Sequence, residues 1–199
     1  SGASLTTVDG GISVSANGPA VSGSTGTAGE FSGISSAGGL FQSNGTGDIV
    51  LQGRGGNNGS SAAHMGVFLL SGTQVVTTSS AAGAGDILIQ GAGGVGTQDN
   101  NGIVLDGSSI TSNRGNVTLN GVGGNGSGAL NRGVGLFTGA SIQSNGAGII
   151  SVNGMGGSGT DSLRGIELFG ISGAVQIESS GGQIILQGQG GTGAANGDR

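Results

Sequence analysis

Few side chains in this sequence could carry chemistry, and their spacing decides which kinds are open. GAGGVG, from Gly91, is a literal Gly-x-Gly-x-x-Gly after the strand-like run ILIQ. A dinucleotide loop of that form presents its pyrophosphate to the N-terminus of a following helix, where N–H groups and the helix dipole hold negative charge. Here TQDNNG follows, which starts no helix, and the phrase recurs along the chain. It therefore reads as structural glycine that permits positive φ and close stacking of backbones. GGSGTDSLR, from Gly156, fits the calcium-binding nonapeptide GGxGxDxUx once, with Asp161 as the ligand. That motif works in tandem, successive turns sharing ions through their aspartates. A single copy leaves Asp161 as the one candidate metal ligand and calcium as the one candidate cofactor.

The remaining reactive groups are isolated. His64 is the single His and there is no Cys, so a zinc site or a Ser-His triad lacks partners. A loop is the expected place for it. The ten acidic residues are scattered and Lys is absent, so no carboxylate pair for cleaving polysaccharides is visible. No catalytic and no cofactor-binding residue is expected. Asp48 and Asp86 occupy matching positions with Asn116 next in the column, and turn capping is the expected role. Asn-x-Ser/Thr sequons at Asn44, Asn58, Asn116 and Asn125 are matches that so much Asn, Gly, Ser and Thr produces by chance.

The elements that must position these residues follow from a repeat. Gly-x-Gly-Gly starts at Gly53, Gly91, Gly121, Gly154 and Gly188, at spacings of 38, 30, 33 and 34 residues. A period of this size marks one supersecondary unit stacked on copies of itself. Residues 102–132 show its plan. Ile103 and Leu105 alternate with other residues, then Ile110, then Val117 and Leu119, with Gly, Asn and Ser between them. Alternation of this kind, bounded by turn residues, signals short strands. The next copies place Val134 and Leu136, Ile142, then Ile150 and Val152; and Ile166 and Leu168, Ile177, then Ile184 and Leu186. Glycine at this frequency would cost about 1 kcal/mol per site in a helix.

The expected fold is all-β: a parallel β-helix (solenoid) with three strands per coil of about 33 residues, and a Gly-rich loop after the third strand. Right-handed winding is the prior. About six coils form a single domain, 1–199, with 1–28 a partial or irregular coil and 29–199 regular repeats. An antiparallel sandwich would need alternating hairpin turns, whereas the sequence repeats one order of strands and one long loop.

Composition agrees. Of 199 residues 51 are Gly, yet 33% are apolar and the net charge is −5, which separates the chain from disordered Gly/Ser linkers. No three-residue period exists, so it is not collagen. No apolar run is long enough for a membrane span, and an acidic chain without Lys is a poor fit for nucleic acid. The opening SGAS carries neither an initiator Met nor a signal peptide.

Alternation also assigns outward faces. On the first strand these are Phe68, Val104, Gly135 and Glu167, then Leu70, Asp106, Phe137 and Phe169; on the third, Val50, Leu88, Thr118, Ser151 and Ile185. Phe68, Leu70, Val104, Phe137 and Phe169 form the candidate association surface, either open to a partner or covered by the long loop. The opening residues align with Thr138 to Gly154, so the chain enters just before a second strand, and the closing NGDR aligns with the residues that precede a first strand. The expectation is an excerpt of a longer β-helix or a unit that stacks end to end.

The unit G-[IV]-x-L-x-G-x-x-I-x-S-x-x-G-x-[IV]-x-[LV]-x-G-x-G-G resembles the β-helical repeats of large bacterial surface exoproteins, the filamentous haemagglutinin-like and autotransporter-type adhesins. The resemblance covers residues 29–199 best; the Asn-Pro motifs of those exoproteins' secretion domain do not occur here. It implies a structural or adhesive segment of an extracellular, cell-surface fibre, self-associating end to end or laterally and meeting cell-surface or matrix glycans. The alternatives are a carbohydrate-active β-helix enzyme and a calcium-binding repeat module.

Overall fold

A computed structural model describes residues 2–17 and 26–193. All of the regular structure among the described residues is strand. The first coil supplies β1 (Ser4–Thr7) and β2 (Ile12–Ala16), and the second β3 (Ile34–Ala37), β4 (Leu40–Ser43) and β5 (Ile49–Arg54). The third supplies β6 (Val67–Leu70), β7 (Gln74–Thr77), β8 (Ile87–Ala92) and β9 (Val95–Gly96). The fourth repeats this as β10 (Ile103–Asp106), β11 (Ser109–Ser112), β12 (Val117–Val122) and β13 (Asn125–Gly126). The fifth gives β14 (Val134–Phe137), β15 (Ser141–Ser144), β16 (Ile150–Met155) and β17 (Ser158–Gly159). The sixth gives β18 (Ile166–Phe169), β19 (Gln176–Ser179), β20 (Ile184–Gln189) and β21 (Thr192–Gly193).

Like strands stack on like strands, all parallel. The first sheet runs β3-β6-β10-β14-β18, the second β1-β4-β7-β11-β15-β19, and the third β2-β5-β8-β12-β16-β20. This is a β-solenoid of about five turns at roughly 34 residues each. The six expected levels are present in the second and third sheets, and five turns separate them. As expected, the chain enters at a second strand, because β1 pairs with β4. The irregular stretch from Pro19 falls partly, and the closing NGDR wholly, outside the described residues.

The register turns alternation into columns. Ile49, Ile87, Val117 and Ile150 align, as do Leu51, Ile89, Leu119 and Val152, and none exceeds 1% exposure. Each fully buried aliphatic side chain contributes about 1.5–3 kcal/mol of transfer free energy. One interior column is polar: Ser43, Thr77, Ser112 and Ser144 point inward beside the turn into the third strand. Thr77 Oγ1 donates to Ser112 Oγ (3.0 Å), and Ser112 and Ser144 donate to the carbonyls of Gly115 (2.7 Å) and Gly148 (2.9 Å). Turn carbonyls that would otherwise be buried without a partner are satisfied there.

The Gly-rich loop is more than a connection. Its two-residue strands form a fourth sheet, β9-β13-β17-β21. The prism of three sheets closes where the third strand ends: a Cβ on Gly91 would stand 2.1 Å from the carbonyl oxygen of Gly102, which opens the next first strand. Residues 92–101 therefore swing out as a narrow side lobe, and the following coils repeat the arrangement. Within the lobe Gly94, Gly124 and Gly157 stack so tightly that a Cβ on each would lie 1.9–2.0 Å from the carbonyl oxygen one coil below. None of the phrase glycines has positive φ, so close approach rather than left-handed backbone is what demands glycine.

Candidate functional site

The outward face of the first sheet carries the candidate association surface, and the structure corrects part of it. In register run Phe68, Val104, Gly135 and Glu167, beside Leu70, Asp106, Phe137 and Phe169. Val104 is 3% exposed, so it offers nothing to a partner. The cause is local. Gly135 leaves a hole that the Phe137 ring fills, since a Cβ there would meet the ring at 2.5 Å. The Arg132 guanidinium then lies over that ring, 5.4 Å from its centroid, a cation–π contact. Phe68, Leu70 and Phe137 are half-buried, while Phe169 is exposed.

Arg132 is also the centre of a charge cluster invisible in the linear sequence. It pairs with Asp99 (3.7 Å) and with Glu167, and Arg164 pairs with Glu167 (2.9 Å). Acids that look scattered along the chain are thus brought together with two arginines across successive coils. Burial pushes the Asp99 carboxyl above its ordinary value, while the Arg132 charge pulls it down. Chemically the group is a clamp: Arg132 spans two carboxylates and a ring, tying the lobe to the first sheet.

The other sequence candidates are absorbed by the scaffold. The amides that would cradle a phosphate at GAGGVG are spent between coils, with Gly93 donating to the Val122 carbonyl and Gly94 to that of His64, both at 2.8 Å. Asp161 is exposed and its Oδ1 accepts from the backbone N–H of Ser162 (2.5 Å). Among the described residues no group of three His, Cys, Asp or Glu is placed to hold a metal. Asp48 and Asp86 cap turns as expected: Asp86 N–H donates to Asp48 Oδ1 (2.8 Å), Asn116 N–H to Asp86 Oδ1 (2.7 Å), and Ile149 N–H to Asn116 Oδ1 (2.9 Å).

His64 lies on a loop, as expected, but is fully buried in the lobe. Its Nδ1 bonds the Gly56 carbonyl (2.8 Å) and its Nε2 the Ser61 hydroxyl (2.7 Å). The equivalent positions in later coils are Asn100, Asn131 and Leu163, each two residues before the glycine that opens a first strand, and all fully buried. Asn131 Oδ1 accepts from both the backbone N–H (3.0 Å) and the side-chain amide (2.9 Å) of Asn100. The residue before each is left-handed: Ala63 (φ 65°), Asp99 (57°), Leu130 (68°) and Ser162 (55°).

The outward face of the third sheet carries an amide ladder. Gln52, Gln90, Asn120, Asn153 and Gln187 stand in one column. Gln52 Nε2 donates to Gln90 Oε1 (2.5 Å), and Asn153 Nδ2 to Asn120 Oδ1 (2.8 Å).

The chain matches no family model, no curated protein and no solved structure. No helix among the described residues is long and apolar enough to cross a membrane.

Proposed function

We propose that this chain is a structural or adhesive rod of an extracellular, cell-surface assembly, built by stacking coils and presenting long sheet faces. The observation that carries the reading is the stacking itself: like strands pair in parallel through six levels, and the amides of the turns and of the lobe donate to carbonyls of adjacent coils. A unit that gains its stability from a neighbouring copy of itself builds rods and extended faces. The partner we assign is a second copy, stacked end to end. The resemblance to surface-exoprotein repeats points the same way, as does a scaffold that consumes its own polar groups.

Sedimentation velocity over a range of concentrations tests this. End-to-end growth is expected for the wild-type chain and is lost in Leu168→Lys, which places a charge on the stacking face. A wild-type chain that stays a single rod at every concentration contradicts it.

A further inference from the structure

The third sheet and its turn into the lobe enclose an open depression of about 640 Å³, within the range of ligand clefts. It crosses β12, β16 and β20 and is lined by Asn120, Val122, Asn153, Met155, Gln187 and Gln189, with Leu186 and the glycines Gly121, Gly154 and Gly188 between them. We propose that this groove binds a neutral polysaccharide strand lying along the rod axis.

Four features of the lining select that chemistry. None of the lining residues is ionisable, so an anionic or cationic ligand would find no counter-charge. The amides of Asn120, Asn153 and Gln187 are in register, one strand spacing apart, about 4.8 Å. That rise is close to the length of one hexose in an extended chain, so successive sugars meet equivalent rungs. Asn153 Nδ2 donates to Asn120 Oδ1 (2.8 Å) and to Ser151 Oγ (3.3 Å), which leaves the acceptor lone pairs of its own Oδ1 and the donors of the Asn120 amide as the ladder's capacity for hydroxyl groups. Val122 and Met155, the latter 44% exposed, give apolar surface for the C–H faces of sugar rings. A peptide strand fits less well. Adding a strand would use the backbone edge of β20 alone, whereas the amide ladder lies on the outward face of β12, β16 and β20.

The inference builds on the adhesive reading above, to which it gives a ligand class and a site. Its test is titration calorimetry of the whole chain with cellohexaose, chitohexaose and mannohexaose, with polygalacturonate as the charged control. At least one neutral hexasaccharide should bind, more tightly than its trisaccharide and with little salt dependence. Asn153→Ala with Gln187→Ala should weaken that binding at least tenfold while circular dichroism stays unchanged. Leu168→Lys, outside the groove, should leave it unaltered even where it abolishes end-to-end growth, so the two readings fail separately. The proposal is overturned if no neutral hexasaccharide binds, if the double variant binds equally well, or if polygalacturonate binds in preference. It is also overturned if the double variant abolishes self-association, which would give the groove to a second copy.

Discussion

The prism and the side lobe are two interiors built by one chain on opposite principles. In the prism, side chains fill space: stacked Ile, Leu and Val columns with almost no exposure. In the lobe there is hardly any space to fill. Glycine carbonyls of one coil occupy the space a Cβ of the next coil's glycine would need, and the buried column reads His64, Asn100, Asn131, Leu163. Apolar burial is non-directional and tolerates substitution by similar volumes. A buried amide ladder is directional, and each rung leaves its neighbour unsatisfied if removed. The prism thus supplies bulk stability, and the lobe supplies coil-to-coil registry.

That division can be broken at either side. Leu119→Ala, at the centre of the prism, should cost about 2–5 kcal/mol, since neighbours in a stacked column cannot collapse into the void. Guanidinium unfolding followed by far-UV circular dichroism measures it, and a cost below 1 kcal/mol would remove the prism from its role. Asn131→Ala should cost about 1–3 kcal/mol, because the Asn100 backbone N–H loses its buried acceptor. Its signature is regional: amide hydrogen exchange should rise at Asn100 and along β13 while the amides of β12 stay protected. Equal loss of protection in both would mean that lobe and prism are one unit.

Smaller changes sharpen the picture. Ala63 is exposed and left-handed, so Ala63→Gly should relieve strain and stabilise by up to about 1 kcal/mol. The thermal midpoint reads it, and a fall would show that the turn is held by the methyl group. The smallest effect concerns Asp99. Its carboxyl is raised on folding from an ordinary value of 3.8, so the folded chain binds that proton more readily than the unfolded chain. Stability therefore declines as pH rises through the interval between the two values, and returns on acidification. Asp99→Asn removes this dependence, so the stability of wild type relative to the variant should improve as pH falls from 7 through the carboxylate range. Denaturant midpoints at several pH values check the slope, and a flat difference would show that Arg132 cancels the burial.

How much of this was legible follows from which residues carry it. The prism was, because period-two alternation at Ile103 and Leu105 or Ile150 and Val152 is a one-dimensional trace of which side faces in. The lobe was not. Its demand for glycine is steric contact between residues about 30 apart, and its buried column contains three residue types that share no pattern. Left-handed turns at Ala63 and Leu130 carry no signal either, since neither residue favours that conformation. The association face was half legible. Alternation gave its outward columns, but neither the burial of Val104 nor the placement of Phe137 over Gly135 with Arg132 above its ring is written in the period. The Asp99–Arg132–Glu167 clamp is likewise a product of coil stacking, which brings distant residues to adjacent levels.

Electron microscopy of the purified chain, with fibre diffraction of the same material, decides whether coils continue from one copy to the next. The rod spans about 24 Å from its first to its last strand at the usual strand spacing. The account expects filaments many times that length, with an axial repeat of about 4.8 Å running unbroken through each junction. Isolated particles one rod long, unchanged by concentration, would contradict it.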